Sequence, residues 1–341
     1  MENSKKQIDV VTIGGASADL IMAVKDVMRF ETYSQEVVKK YTAIEYSSKV
    51  NVDSLHIVPG GSACNVAADL ASIGLKTRYL GVVGMDQNGN ISLEDLRSRG
   101  VDISFVKRTK EDLTGVSIVL MTGYGKDRSI LVYKGAADLA DAEYVKEEMI
   151  KDAKILVWTS LTSEKSCGAI QKAIEYAKKY DVFVCACPSI SIIKKRHEDA
   201  IRFVKQSDFA CMNSEEIQEL TGENTTIKGI KKMLSWGLKK MAVSLGSKGS
   251  RLIDGDQVVE SGIYKVTVSD TTGAGDAFAS GFIYGILNNL SLKKIAKYAS
   301  ALSAFEVEGW GVRIGLPKSI HELEDFINKN TLEQTDFTFK S

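Results

Sequence analysis

The chain predicts an α/β fold in three layers, with a mostly parallel sheet covered by helices on both faces. Three observations carry that expectation. From about residue 141, short apolar runs at 155–158, 182–187, 209–212 and 241–245 alternate with helical-period segments near 165–180, 196–206, 214–221 and 226–236. Such alternation implies a parallel sheet buried on both sides. Val10-Val11-Thr12-Ile13 is a buried-type strand that runs straight into Gly14-Gly15. Residues 264–268 alternate β-branched and polar side chains, as a strand would, and a turn with Gly273 and Gly275 follows. Ala277, Phe278, Phe282, Ile286 and Leu287 then recur at helical spacing. Ligands of open α/β sheets bind beyond the carboxyl ends of the strands, so the loops there are where chemistry is sought.

Bulk properties narrow the function classes. At 341 residues the chain can bury a substantial core, and its 44 basic and 44 acidic residues exert no global pull toward nucleic acid or an anionic membrane. No apolar run approaches the roughly eighteen residues of a membrane span. Met1 to Asp9 is polar and leads directly into a strand rather than reading as a signal peptide. Five cysteines (Cys64, Cys167, Cys185, Cys187, Cys211) are an odd number without C-x-x-C spacing. Reduced, mostly buried thiols in a cytoplasmic protein are therefore expected, and with three histidines a His/Cys metal cluster is not.

In chain order, Gly15 leads into Ser17-x-Asp19, where Asp19 either caps a turn or faces a ligand; the dinucleotide fingerprint G-x-G-x-x-G is absent. Residues 21–58 are too long for a plain connection and should carry structure of their own, with strand character at 44–50 and 55–58 and Tyr33, Tyr41 and Tyr46 interspersed. Pro59-Gly60-Gly61-Ser62-Ala63-Cys64-Asn65 precedes a helix with Val66, Leu70 and Ile73 on one face and Gly74 as its stop. Asn65 is a simple helix residue or an amide that offers donor and acceptor together. Residues 79–84 form a strand, with Asp86 in a structural turn. Residues 103–107, 115–121 and 129–133 read as strands, the last two joined by a turn at 122–127. Arg128 and Lys134 are edge-strand charges, or cations for a phosphorylated ligand. Asn213-Ser214-Glu215-Glu216 has capping-box spacing, and Ser244-Leu245-Gly246-Ser247-Lys248-Gly249 is a strand end with a Gly-rich turn. Residues 300–307 are helical, broken at Glu308-Gly309-Trp310-Gly311, and the chain after Asn330 is polar and expected to fray. With no repeat or long linker, 1–330 reads as one domain with a tail at 331–341.

The stretch Val268 to Phe282 holds the chemistry. Free N–H groups at a helix start carry partial positive charge and suit an anion. Asp276 is out of place beside them unless a proton must be removed there. A carboxylate next to an anion hole is what phosphoryl transfer to a hydroxyl requires. The plain alternative is a strand–turn–helix junction with a capping Asp.

Asp270-Thr271-Thr272-Gly273-Ala274-Gly275-Asp276-Ala277-Phe278 resembles the C-terminal signature of the ribokinase-like (PfkB) carbohydrate kinases. Gly60-Gly61-Ser62-Ala63-Cys64-Asn65 matches that family's Gly-Gly-x-x-x-Asn, and Val83-Gly84-x-Asp86-x-x-Gly89 resembles a third signature. The resemblance spans about residues 8–330. It implies a ribokinase-like three-layer domain with a small β-sheet lid drawn from about 20–58 and 102–134. It also implies transfer of the γ-phosphoryl of ATP to a primary hydroxyl of a sugar. Asp276 would be the general base and Gly273, Ala274 and Gly275 the anion hole. Asp19, Gly60, Gly61 and Asn65 would orient the acceptor, and Asn213, Ser244, Gly246 and Gly249 would contact the nucleotide. Asn213 and Glu216 would help hold Mg²⁺ through water, and carbonyls near Asp270 would bind a monovalent cation such as K⁺. The phosphates would be held without a P-loop, since G-x-x-x-x-G-K-[ST] is absent. An open-edged lid suggests a homodimer. Two departures stand out: Cys187-Pro188-Ser189 where many fructokinase-like members carry Asp-Pro-Asn, and Ser62 where ribokinases carry lysine. A nucleoside kinase stacking its base on Tyr33, Tyr41 or Tyr124, a kinase of 6-phospho-sugars using Arg128 or Lys134, and a non-catalytic sugar- or nucleotide-binding protein are the alternatives.

Overall fold

The computed structural model describes residues 6–33, 38–122 and 128–339. Strand β1 (Ile8–Ile13) ends at Gly14-Gly15, and the chain re-enters extended structure at once as β2 (Ser17–Ala23). A hairpin, β3 (Met28–Tyr33) and β4 (Val38–Ala43), precedes β5 (Ser54–Gly60), from which α1 (Ser62–Ser72) departs after one residue. Next come β6 (Thr77–Leu80), β7 (Val82–Gly84), α2 (Gln87–Ser98), β8 (Lys107–Thr109), β9 (Gly115–Met121) and β10 (Arg128–Tyr133). The α/β rhythm follows: β11 (Ala153–Trp158), α3 (Glu164–Lys179), β12 (Phe183–Ala186), α4 (Ile190–Lys195), α5 (His197–Lys205), β13 (Phe209–Asn213), α6 (Ser214–Thr221), α7 (Thr226–Ser235) and β14 (Lys240–Ser244). It closes with β15 (Ser250–Asp254), β16 (Gln257–Ser261), α8 (Ala274–Leu287), α9 (Leu292–Glu308), α10 (Ile320–Lys329) and β17 (Gln334–Thr338).

The large sheet has the order β17-β16-β15-β14-β13-β12-β11-β1-β6, parallel from β14 to β6 and antiparallel across β15, β16 and β17. Alternation of side chains along the strands sends Val11, Ile13, Leu156 and Trp158 into one core, with α3, α5, α6 and α7. Val10, Ile155 and Val157 go into the other, with α1, α8, α9 and α10. That division produces the three layers. A second sheet, β10-β9-β2-β5, rises from the carboxyl end of β1.

Four expectations from sequence meet corrections. Residues 44–50 are not a strand: Ser48 N and Oγ both bond Glu45 O, Ser47 turns at φ +62, and the hairpin forms upstream, where Phe30 stacks on Tyr41. Residues 103–107 begin as a turn, with Val106 N on Ile103 O and Ser104 N on Asp102; β8 follows it and pairs with β7 instead of joining the lid sheet. Residues 264–268 leave the sheet, because the free edge of β16 is taken by β17. The tail expected to fray supplies that strand. Helix α4, after Cys187-Pro188-Ser189, was not expected. The turn at 123–127, with Tyr124, lies outside the described residues, as does the side chain of Arg128.

Helix α8 is seated by close contact with α9, since a Cβ on Gly281 would sit 2.5 Å from Ala299 Cα. Gly281→Ala should therefore destabilise the protein by about 2 kcal/mol, read as a lower urea midpoint. An unchanged midpoint would mean the two helices are not closely apposed there.

Candidate active site

Glycines decide how the first loop and the Gly-Gly turn meet. Gly61 has φ +97, and a Cβ there would lie 2.3 Å from Gly15 O; a Cβ on Gly60 would lie 2.3 Å from Asp19 Oδ2. Only glycine allows both approaches. Asp19, in register with Ser117 on β9, is buried and accepts a bond from Ser17 Oγ at 3.0 Å. Burial pushes its carboxyl up, and the hydroxyls of Ser117 and Ser17 and the charge of Arg313 oppose that rise.

The turn from Gly61 starts α1, which puts Asn65 one turn in. Asn65 Nδ2 donates to Asp276 Oδ2 at 2.6 Å, across 211 residues of sequence. Asp276 lies in the first turn of α8, whose cap residue, Gly273, has φ +81 and supplies no side-chain cap. No side chain engages the N–H groups of that turn, and Ala274 N makes only a long bond to Thr271 O at 3.4 Å, so the turn keeps capacity for an anion. Burial raises the Asp276 carboxyl, opposed by bonds from Asn65 and Ser62 and by Arg313. Asp19, Gly60, Gly61, Asn65, Gly273, Ala274, Gly275 and Asp276 thus belong to one assembly, built at the carboxyl end of β1 and the start of α8.

The nucleotide-contacting residues expected from sequence converge as well. Asn213, Ser244, Gly246 and Gly249 line one cleft of about 490 Å³, together with Ala274 and Gly275 of the anion-hole turn. Its apolar wall was missed: Val266 and Val268 come from the segment expected to be a strand, Ile263 from just before it, and Phe278, Ala304 and Val307 from α8 and α9. The β-branched alternation signalled extended backbone, without revealing that it would line a cavity.

Asn213 and Glu216 form a reciprocal capping box at α6: Asn213 Oδ1 accepts from Glu216 N at 2.9 Å and Glu216 Oε2 from Asn213 N at 2.8 Å. Burial pushes Glu216 up to about 7 and Asp276 adds to the rise, so a cation nearby would find a carboxylate short of positive charge. Asp270 Oδ1 accepts from Thr272 N and Oγ1, and Val307 O accepts from Ser269 N and Asp270 N. Asp86 keeps the structural role expected of it, capping α2 through Gly89 N and binding Thr114. Lys134 is less exposed than an edge-strand charge would be, and burial lowers its pKa.

Two residues with no sequence signal complete the site. Arg313 donates from Nε to Asn65 Oδ1 at 2.8 Å, and Glu306 accepts Arg313 N at 2.9 Å. Glu306 Oε1 packs so closely under Gly273 that a Cβ there would come within 2.4 Å. Burial pushes Glu306 up to about 7, aided by Asp276 and Asp270 and opposed by the Arg313 amide and charge. Since the folded value exceeds the unfolded one, the native state holds a proton that the unfolded chain has released. The stability this gives is full below about pH 4.5 and is lost as pH rises through about 7. Between pH 5 and 8, Glu306→Gln should therefore lose roughly 2 kcal/mol less stability than the wild type, measured by urea unfolding; parallel curves would show that Glu306 does not titrate there.

Comparison with known proteins identifies the family and the fold. The family model described as pfkB family carbohydrate kinase matches residues 9–319. A 5-dehydro-2-deoxygluconokinase of Clostridium botulinum is 30% identical, over 79% of this chain and 84% of its own. An ATP-dependent 6-phosphofructokinase of Thermoanaerobacterium thermosaccharolyticum is 26% identical, over 94% and 95%. The structure of Arabidopsis thaliana ribokinase complexed with ribose and ATP superposes with a TM-score of 0.79 at 22% identity, covering 94% of this chain and 98% of that one. Family signatures, ribokinase-like fold and assembled site converge: the chain belongs to the pfkB family of carbohydrate kinases and is a phosphotransferase with a hydroxyl acceptor.

Proposed function

We propose that the protein transfers the γ-phosphoryl of ATP to a primary hydroxyl of a sugar. The observation that carries this reading is the Asn65–Asp276 contact at the uncapped start of α8, with the cleft of Ser244, Gly246 and Gly249 leading to the same turn. Asp276 takes the proton of the acceptor hydroxyl as its oxygen bonds to phosphorus. The N–H groups of Gly273, Ala274 and Gly275 hold the charge on the migrating group as the bond to ADP breaks. Asp19 and the remaining N–H of the Asn65 amide orient the acceptor, with Gly60 and Gly61 leaving room for it. The apolar cleft takes the nucleobase, and the smaller sheet excludes water.

Mg²⁺ fits the donor set: Asn213 Oδ1 and the Glu216 carboxylate are oxygen acceptors already engaged in the cap, which leaves them a spare lone pair for a metal-bound water rather than direct ligation. When bound it supplies charge neutralisation on the phosphates. The resemblance also implies K⁺ at Asp270. Here Thr272 engages Asp270 and two amides engage Val307 O, and the reaction is written without K⁺.

The acceptor is read as a sugar because Asp19 and Asn65 carry groups that can bind hydroxyls and the curated relatives compared above are named as a 6-phosphofructokinase and a 5-dehydro-2-deoxygluconokinase. A screen of ADP release from Mg-ATP over pentoses, hexoses, 6-phospho-sugars and nucleosides tests this. Activity confined to nucleosides would favour the base-stacking alternative, and activity with no acceptor a binding protein. Asp276→Asn should lower kcat by about a thousandfold or more, with ATP affinity changed less than about threefold as measured by calorimetry. Near-normal turnover in the folded variant would remove Asp276 as the base.

The smaller sheet also supports a homodimer. By strand register, Leu20, Met22, Leu55, Ile57, Ile118 and Leu131 share the face opposite Asp19, and Leu55, Ile57 and Leu131 are each more than half exposed. Such a patch on a soluble domain suits a partner surface. Sedimentation should give a dimer that Ile57→Lys converts to monomer; a monomeric wild type would reject this.

A further inference from the structure

Arg313 is a buried charge that touches Asn65 and has no role assigned in the reaction. It lies in the loop after α9, is about 1% exposed, and has φ +66. A long, non-glycine side chain in the left-handed region persists only where its surroundings hold it. Here three elements do so. Nε donates to Asn65 Oδ1 on α1 at 2.8 Å, Nη1 to Asp95 Oδ2 on α2 at 2.6 Å, and Nη2 to Gly60 O at the end of β5 at 3.0 Å. The main chain is pinned too, since Arg313 N donates to Glu306 Oε1 and Arg313 O accepts from Arg99 Nη2 at 3.1 Å.

An asparagine amide can be reversed by a half-turn that exchanges its oxygen and nitrogen. Reversed, Asn65 would point an acceptor at a carboxylate. A guanidinium has donors only, so the end of the amide that faces Arg313 must be the oxygen. The nitrogen is then left to face Asp276, as observed at 2.6 Å. We propose that Arg313 is a positioning residue for phosphoryl transfer: it holds the Asn65 amide in the orientation that donates to Asp276 and ties it to Gly60, where the smaller sheet meets the acceptor site. The proposal rests on Asp276 being the base.

Electrostatics agree. Asp276 is faced by Asp19 from β2, Asp69 from α1, Glu306 from α9, Glu216 from α6, Cys211 from β13 and Cys187 after β12. All of these are acids. Burial and Asp19 raise the Asp276 carboxyl, and the charge of Arg313 opposes them; it does the same for Asp19 and Glu306.

The test uses full-length Arg313→Lys and Arg313→Met. Urea unfolding reports stability. Carbon-13 NMR of aspartate-labelled protein follows the titration of Asp276, assigned by the signal missing from Asp276→Asn. Turnover is ADP release from Mg-ATP with whichever of D-ribose, 2-deoxy-D-ribose, D-fructose, D-fructose 6-phosphate, D-glucose and adenosine the wild type phosphorylates. Arg313→Lys keeps the charge without the directed Nε–H, so kcat should fall about 10- to 100-fold with KM for ATP within about threefold and the Asp276 titration little moved. Arg313→Met should lose kcat further and shift both the Asp276 titration and the acid limb of kcat upward by about one pH unit. Should Arg313→Met not fold, the kcat of Arg313→Lys decides. The proposal is overturned if the folded variants keep kcat within twofold and the acid limb unmoved while only the urea midpoint drops, which is the behaviour of a plain structural brace. Absence of ADP release from the wild type would count against the kinase reading instead, and the Asp276 titration, which needs no acceptor, would still decide the role of Arg313.

Discussion

The bond from Asn65 to Asp276 makes a largely buried carboxylate tolerable. Burying an unpaired carboxylate is prohibitive, and proteins ordinarily neutralise it by raising its pKa. Here burial does raise Asp276, and the amide of Asn65, the hydroxyl of Ser62 and the charge of Arg313 hold part of that rise back. A hydrogen bond to a charged group is worth about 2 kcal/mol, enough to matter without locking the carboxylate against gaining a proton. The rest of the architecture serves to bring α1 and α8 to that distance. Gly61 starts α1 against the first loop, and Gly281 lets α8 lie close on α9.

Two helix starts near the cleft show how local chemistry is divided. Helix α6 is capped at both ends of a reciprocal pair, Asn213 and Glu216. Helix α8 has glycine at its cap and no side chain satisfying its first amides. A capped start is worth about 1 kcal/mol, so leaving α8 uncapped is a local loss, offset by an apolar face that buries Ala277, Phe278 and Phe282. The uncapped turn is the one that lines the cleft with Ala274 and Gly275. Helix α8 thus draws its stability from its core face and leaves its first amides without a side-chain cap.

The smaller sheet is two-faced for the same periodic reason that the large one is. Alternation along β2 places Asp19 and Ile21 on one side and Leu20 and Met22 on the other, and the registers with β5 and β9 extend each face across neighbouring strands. Ile21 and Val58 lie near Gly311, after α9, so the inner face packs toward the end of that helix. One slip of register would exchange the two faces and remove Asp19 from the site.

The α/β rhythm and the two glycine signatures were legible in the sequence because each depends on local facts: strand and helix periods, and turns at Gly61 and Gly273 where the backbone takes φ > 0; an acid beside a helix start is equally local, and it is what nominated Asp276. The cap at Asn213 and Glu216 was legible for the same reason. What failed were assignments in which extended backbone depends on a distant partner. Residues 264–268 have strand-like alternation, but β17 occupies the ladder they would have joined, and a tail with no core pattern became a strand because that edge was open. Arg313 and Glu306 were invisible: a lone arginine and a lone glutamate gain meaning only from what faces them, and Arg313 meets Asn65 across 248 residues. Local pattern in the chain was enough to nominate Asp276, Asn65 and the glycine turns; their orientation came only from the fold, because a buried charge takes its direction and its pKa from neighbours the chain brings in from far away.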